Sequence, residues 1–395
     1  MRLKRNLLLT GVAMLAALTV VGCGEQAKDT KSVSPAAVQE KAVATPEPVD
    51  VQGAKTLKDG FVNDFTVGLC TTAGVLSNEE LSPLIKKHSN SVTMENAMKP
   101  ESLLDWKGSE ESEDGMPAIN EAELEKNLKA AKEAGIPLRG HCLVWHSQTP
   151  EWFFCEDYDP SKDKVNKETM KRRMEVYIQK ILTFCEEKYP GVVYAWDVVN
   201  EAMGDDGWYR TESLWYETYG DESYIIDAFT FARKYAGKDV KLFYNDYNEY
   251  TPQKRDLIIE LLKEMREKGI VDGMGMQSHW DMEYPSASML QSALEMYGEI
   301  EGLEIQLTEI DMHNTDDSEE GLQAQADRYK EFFNIIATAD RTGKANITNV
   351  TFWGVTDGAS WLSGFKEETS YPLLFDDEYN EKPCYGSILE VAKGQ

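Results

Sequence analysis

Residues Tyr194–Ala202 read Tyr-Ala-Trp-Asp-Val-Val-Asn-Glu-Ala, and residues Glu304–Met312 read Glu-Ile-Gln-Leu-Thr-Glu-Ile-Asp-Met. Both are short apolar runs with the look of buried strands, and each places an acid near its end: Glu201 after Asn200, and Glu309 after Thr308. A carboxylate in such a run is costly to bury unless it has a partner or a task. Working outward, six more stretches have the same length and texture: Phe65–Cys70, Ser91–Glu95, Pro137–Trp145, Lys241–Tyr247, Gly273–His279 and Asn349–Val355. Between them lie helical patterns, including Glu121–Ala134, Lys167–Lys188, Ser223–Tyr235, Pro252–Lys268, Ser286–Glu299 and Gly321–Thr338. Leu257, Leu261, Leu262 and Met265 recur at the spacing of a helix that covers a sheet. Eight strands, each followed by a helix, predict an α/β fold, a single (β/α)₈ TIM barrel. No Gly-rich phosphate turn follows Cys70, as an open doubly wound sheet would require.

Polar and aromatic residues gather at the strand ends. The second strand ends in Glu95-Asn96, with Lys99 beyond; the third runs through His141 to Trp145-His146, with Gln148 following. The fifth ends Asn245-Asp246-Tyr247 and the sixth Gln277-Ser278-His279; the seventh carries Glu309 and Asp311, and the eighth reaches Trp353, with Trp361 after it. In a parallel barrel these ends share the face on which such enzymes build their sites. Glycosidic hydrolysis needs a proton donor on the leaving oxygen and a second carboxylate acting at the sugar carbon. Asp311 falls on the same side of its strand as Glu309. His279, on the adjacent strand, can hydrogen-bond Glu309 while Asp311 holds it. That arrangement keeps Glu309 ionised and suits a nucleophile. Glu201 has no cation beside it in sequence, which suits a general acid. Trp145, Trp353 and Trp361 offer faces for sugar rings, and Asn96, Lys99, Gln148, Asn200 and Gln277 offer groups for hydroxyls.

The chain resembles the family 10 glycoside hydrolases, the endo-β-1,4-xylanases, over about Leu57–Val391. The resemblance rests on Glu95–Glu101 (ENAMKPE), Gly140–Pro150 (GHCLVWHSQTP), Trp196–Ala202 (WDVVNEA), Tyr244–Asn248 (YNDYN), Gly275–His279 (GMQSH), Thr308–Asp311 (TEID) and Phe352–Asp357 (FWGVTD), in that family's order. It implies a retaining mechanism, with Glu201 as acid/base and Glu309 as nucleophile. Asn200, His141, Lys99, Gln277 and His279 would line the attacked sugar, with Trp145, Trp353 and Trp361 around it. Glu95, Asn96 and Gln148 would contact the next sugar outward, and Tyr247 would join the substrate-binding set. The implied substrate is xylan or its β-1,4-xylo-oligosaccharides; no cofactor, metal or obligate protein partner is implied. Leu362 stands where many relatives carry Arg, and the following Ser363–Ser370 (SGFKEETS) departs from their pattern. Two other readings stay open at this point: a lipid-anchored sugar-binding protein, and a β-1,4-glucanase or mannanase on a related barrel.

The net charge of −28 over 395 residues argues against nucleic acid, which needs clustered Lys and Arg. Arg2, Lys4 and Arg5 precede the apolar Leu7–Val21, which ends in Val20-Val21-Gly22-Cys23. This pattern resembles a bacterial lipobox; the alternative is an ordinary secretory signal cleaved nearby. Residues 1–22 are then a lipoprotein signal, residues 23–54 a lipidated Cys23 with a disordered linker, and residues 55–395 the barrel. The expected location is extracytoplasmic, at a bacterial cell surface, with the membrane touched only through the anchor. Beyond Cys23, five cysteines remain, an odd number, so at least one is free or paired between chains; a Cys155–Cys185 bridge is open. Ser109–Asp114 (SEESED) reads as a solvated loop.

Overall fold

The computed structural model describes residues 47–394. The expected signal segment and Cys23 lie outside them, as does most of the expected linker. Eight strands form the barrel wall: β1 (Thr66–Thr71), β2 (Ser91–Met94), β3 (Leu138–Trp145), β4 (Val193–Asn200), β5 (Lys241–Asp246), β6 (Gly273–Met276), β7 (Glu304–His313) and β8 (Ile347–Phe352). Each pairs in parallel with the next, and β8 pairs back onto β1 through Thr66 opposite Asn349, so the sheet is closed and has no edge. The predicted TIM barrel is the observed fold.

A helix follows each strand: α1 (Ser82–His88), α2 (Glu121–Ala134), α3 (Lys167–Lys188), α4 (Ser223–Tyr235), α5 (Pro252–Glu267), α6 (Ala287–Gly298), α7 (Glu319–Arg341) and α8 (Pro383–Ala392). Their starts are written in the sequence. The side chains of Asn120, Asn166, Ser286 and Ser318 each accept the backbone N–H three residues on, satisfying a donor that the first turn leaves open. On α5, Ile258, Leu261, Leu262 and Met265 are buried against the wall while Leu257 is half-exposed. Glycine 140 lets β3 approach β4 closely: a Cβ there would lie 2.3 Å from the Trp196 indole.

Three expectations change. The predicted strand Gly273–His279 is two pieces, because Ser278 takes a left-handed conformation (φ 62°) that breaks it. His279–Asp281 then pairs separately with Asp311–His313, which sets His279 directly opposite Asp311. The Cys155–Cys185 bridge is absent: Cys70, Cys142, Cys155, Cys185 and Cys384 are all free and buried. Ser109 is buried rather than solvated, its hydroxyl donating to the Asp105 carbonyl, and the exposed loop starts beyond it. A short antiparallel pair, Leu104–Asp105 with Ala118–Ile119, closes that excursion.

The lumen is polar and mostly hydrogen-bonded, the buried Thr93 hydroxyl being without a partner among the described residues. Asn349 donates to Thr66 Oγ1 (2.7 Å) and Ser91 Oγ (2.8 Å) and accepts from Thr351 Oγ1 (2.7 Å). Above them the buried Arg139 guanidinium reaches Asp197 and Gln306, with Nε to Asp197 Oδ2 at 3.2 Å. Barrel interiors are more often filled by branched apolar side chains. Here hydrogen bonding offsets the desolvation of these groups and fixes their rotamers.

Candidate active site

Glu309 stands on β7 at the mouth of the lumen, 5% exposed. Its Oε1 accepts from Asn245 Nδ2 at 2.7 Å, and its Oε2 lies 3.3 Å from His279 Nε2. The other nitrogen of His279, Nδ1, meets Asp311 Oδ1 at 2.9 Å, and the second oxygen of Asp311 accepts from Trp361 Nε1 at 2.9 Å. Trp361, Asp311, His279 and Glu309 therefore form one hydrogen-bonded chain. Burial alone would raise the Glu309 pKa, but His141, His279 and Asn245 outweigh it and hold the carboxyl down at about 2. Burial likewise disfavours charge on His279, yet Asp311 and Glu309 push its pKa up to about 10. At neutral pH the pair is imidazolium and carboxylate, so one Glu309 oxygen is kept ionised and aimed.

Glu201 follows β4 in a left-handed backbone conformation (φ 55°), a strained position for a residue with a side chain. Its Oε1 accepts from Asn200 Nδ2 (3.1 Å) and Gln277 Nε2 (2.9 Å), and its Oε2 from Trp145 Nε1 (2.9 Å). His146 Nδ1 lies 3.8 Å from Oε2; burial, then the charge of Arg210, lowers the His146 pKa to about 4, so this neighbour is neutral. The two carboxylates are joined through two amides, since Asn245 Nδ2 also donates to Asn200 Oδ1 at 2.8 Å. At the rim, Lys99 Nζ donates to Asn96 Oδ1 (2.8 Å) and Gln148 Oε1 (3.0 Å) and lies 4.8 Å above the Trp145 ring. His141 packs its edge on Trp353, with ring centres 5.3 Å apart.

Known proteins resemble this chain in sequence and fold. The family model for glycosyl hydrolase family 10 matches residues 56–391. The chain belongs to that family. It is 46% identical to endo-1,4-β-xylanase B of Butyrivibrio fibrisolvens over 85% of this chain, and it spans only 53% of that protein. It is 43% identical to a putative endo-1,4-β-xylanase of Caldicellulosiruptor saccharolyticus, over 74% of this chain and 96% of that one. Among solved structures, the CBM22-1 and GH10 modules of a Clostridium thermocellum endo-1,4-β-D-xylanase, determined with xylohexaose, superpose with a TM-score of 0.78 at 36% identity, over 85% of this chain and 68% of that one.

Within this family 10 barrel, the residues singled out from sequence fall on one face. Glu309, His279, Asp311 and Trp361 form one hydrogen-bonded or ion-paired group and Glu201, Asn200, Gln277 and Trp145 another, Asn245 joins the two, and Lys99, Asn96 and Gln148 form a further group touching Trp145. Tyr247 stands further out; its hydroxyl accepts from Arg210 Nη2 (3.1 Å) and donates to Asp205 Oδ2 (3.3 Å). Glu95 is half-buried; its backbone N–H donates to the Thr71 carbonyl (3.2 Å), and its carboxylate makes no hydrogen bond or ion pair among the described residues. Sequence reasoning did not assign roles to Asn245, Arg139, Asp197 or Arg210. Asn245 accepts from Thr308 Oγ1 (2.6 Å) while donating to both Asn200 and Glu309, and Asp197 Oδ2 orients His141 through Nδ1 at 3.0 Å. The signal for them was present: Arg139 and Asp197 are charged residues inside otherwise apolar strands. Leu362, at the departure from the relatives, is buried at the start of the short helix Leu362–Lys366.

Proposed function

We propose that this protein is a retaining endo-1,4-β-xylanase that hydrolyses internal bonds of xylan by double displacement, with Glu309 as nucleophile and Glu201 as acid/base. The observation that carries the reading is the asymmetry between the carboxylates. Glu309 is buried beside an imidazolium and held ionised, as attack on the anomeric carbon requires. Glu201 instead accepts hydrogen bonds only from the neutral N–H groups of Asn200, Gln277 and Trp145. In the first step Glu309 bonds to the anomeric carbon as the glycosidic bond breaks and Glu201 delivers its proton to the departing hydroxyl. In the second, Glu201 takes a proton from water, which displaces Glu309 and restores the original configuration. Trp145, Trp353 and Trp361 hold sugar faces, while Lys99, Asn96, Gln148 and His141 serve ring hydroxyls.

The N-terminal pattern ending at Cys23 supports a second part of this reading. The enzyme is made with a signal segment, lipidated at Cys23 and tethered by a linker at the outer face of a bacterial membrane. The activity is tested by release of reducing ends from xylan, carboxymethyl cellulose and mannan, with the anomer of the first product followed by NMR. Faster turnover of xylan with β-product is expected. Tight binding without turnover, preference for either other polymer, or α-product formed first would each overturn the reading.

A further inference from the structure

Residues 361–370 include the stretch that departs from the relatives, and they reach the cleft through Trp361. Its Nε1 donates to Asp311 Oδ2 (2.9 Å), and its ring meets that of His279 at a steep angle, centres 5.0 Å apart. Beyond it, residues 364–369 are exposed one after another. Leu362 is buried, but Phe365 is 67% exposed and leans on Trp361, ring centres 4.8 Å apart. A segment with so little buried surface opens locally at low cost unless polar ties hold it. Those ties come from β7. Glu309, Asp311 and His313 alternate with Ile310 and Met312 and so project to one side of the strand. Asp311 receives Trp361, while His313 receives the far end of the loop. Its Nδ1 lies 2.9 Å from Ser370 Oγ and its Nε2 3.2 Å from Glu368 Oε1. A carboxylate only accepts, so Nε2 carries the ring proton and, in the neutral ring, Nδ1 accepts from the Ser370 hydroxyl. The Ser370 N–H in turn donates to Ser363 Oγ (3.0 Å), which draws the two ends of the loop together. The Glu368 side chain is 56% exposed, so its pairing is screened and weak; the buried Ser370 is the stronger tie.

We propose that His313 is a positioning residue for Trp361. Through Ser370 it holds the loop down on β7, and so keeps the indole on Asp311 and beside the attacked sugar. The inference rests on the xylanase reading above, in which Trp361 meets that sugar. His313 makes no hydrogen bond or ion pair with Glu201 or Glu309 among the described residues. Its effect on the reaction is carried by the loop alone.

The test has two readouts on the full chain. Trypsin cleavage after the exposed Lys366, followed by mass, reports opening of the loop without reference to activity. His313→Ala and, independently, Ser370→Ala are expected to be cut there at least about tenfold faster than the wild type, and Glu368→Gln within about threefold of it. Activity is then measured on a linear xylo-oligosaccharide. His313→Ala is expected to lower kcat/KM by at least about tenfold, because a small misplacement of a sugar-positioning group is costly. In a Trp361→Ala background the same change should move kcat/KM by less than about twofold, since the effect has no other route. His313→Asn, whose amide oxygen can stand in for Nδ1, should recover most of both properties. Unchanged cleavage in the His313→Ala and Ser370→Ala variants, or a His313→Ala loss that multiplies with that of Trp361→Ala, would overturn the proposal. A wild type that leaves the oligosaccharide intact is a different result. It sinks the xylanase reading, while the trypsin comparison still decides whether His313 holds the loop.

Discussion

Removing the Glu309 carboxylate empties a position that His279 and Asn245 still surround. Glu309→Ala is expected to lower kcat by roughly 10⁴–10⁶-fold, the range for loss of a nucleophile. Azide, small and anionic, fits the vacated place and should restore turnover in part, giving the α-glycosyl azide by NMR. Glu201→Ala should behave differently: substrates with good leaving groups keep most of their first-step rate, because only the proton donor is missing. Equal loss on good and poor leaving groups would reject the acid role. Asp311 acts one residue further back, as a positioning residue. The folded pKa of His279 is raised from 6.5 to about 10, so its contribution to stability is complete below about 6.5 and is lost as pH rises through about 10. That of Glu309 is lowered from 4.5 to about 2, so its contribution is complete above about 4.5 and is lost as pH falls through about 2. Asp311→Asn removes the strongest cause of the His279 elevation and should lower the His279 pKa by roughly one to three pH units. An NMR titration of His279 reads the shift directly, and an unmoved titration would detach Asp311 from this role.

At the scale of elements, the sequence was legible wherever one residue's environment followed from its neighbours along the chain. α2, α3 and α4 begin and end where their apolar spacing places them, α2 and α3 behind a capping Asn, and all eight wall strands lie within a few residues of expectation. The misses have a common cause. The break at Ser278, the lumen pair Arg139–Asp197 and the central Asn245 depend on which strand lies opposite, and periodicity along one segment carries no such information. For the same reason Glu201 and Glu309 were readable as strand-end acids, while the amide that couples them was not. Close approach between strands is equally invisible in a single run, and Gly140 shows its consequence. With a Cβ built 2.3 Å from the Trp196 ring, Gly140→Ala forces β3 and β4 apart or the indole out of place. The expected cost is about 1–3 kcal/mol of unfolding free energy, seen as a lower urea midpoint, with the lumen network above it loosened. Unchanged stability would mean that the wall yields more easily than its packing implies.

For the whole molecule, charge and anchorage pull on the same question of where the barrel works. A net charge of −28 keeps the chain soluble and repels it from anionic lipid headgroups, so no electrostatic attraction holds it at a bacterial surface. No helix among the described residues is long and apolar enough to cross a membrane. We propose that attachment to the membrane comes from the segment around Cys23. One acyl chain gives only marginal, reversible binding, and stable anchoring takes two or more, as a multiply acylated N-terminal cysteine supplies. Expression of the full chain in a bacterial host with labelled palmitate should therefore place both label and xylan-hydrolysing activity in the membrane fraction. Washing with about 1 M salt, which shortens the Debye length to roughly 3 Å, should release neither. Cys23→Ser should abolish labelling and move the activity to the soluble fraction or the medium, with kcat/KM on soluble oligosaccharides unchanged, because the candidate catalytic and sugar-binding residues all lie from Glu95 onward. Retention of the Cys23→Ser variant at the membrane would refute the lipid anchor. Release of the wild type by salt would show that the contact is ionic after all, against the sign of the chain's own charge.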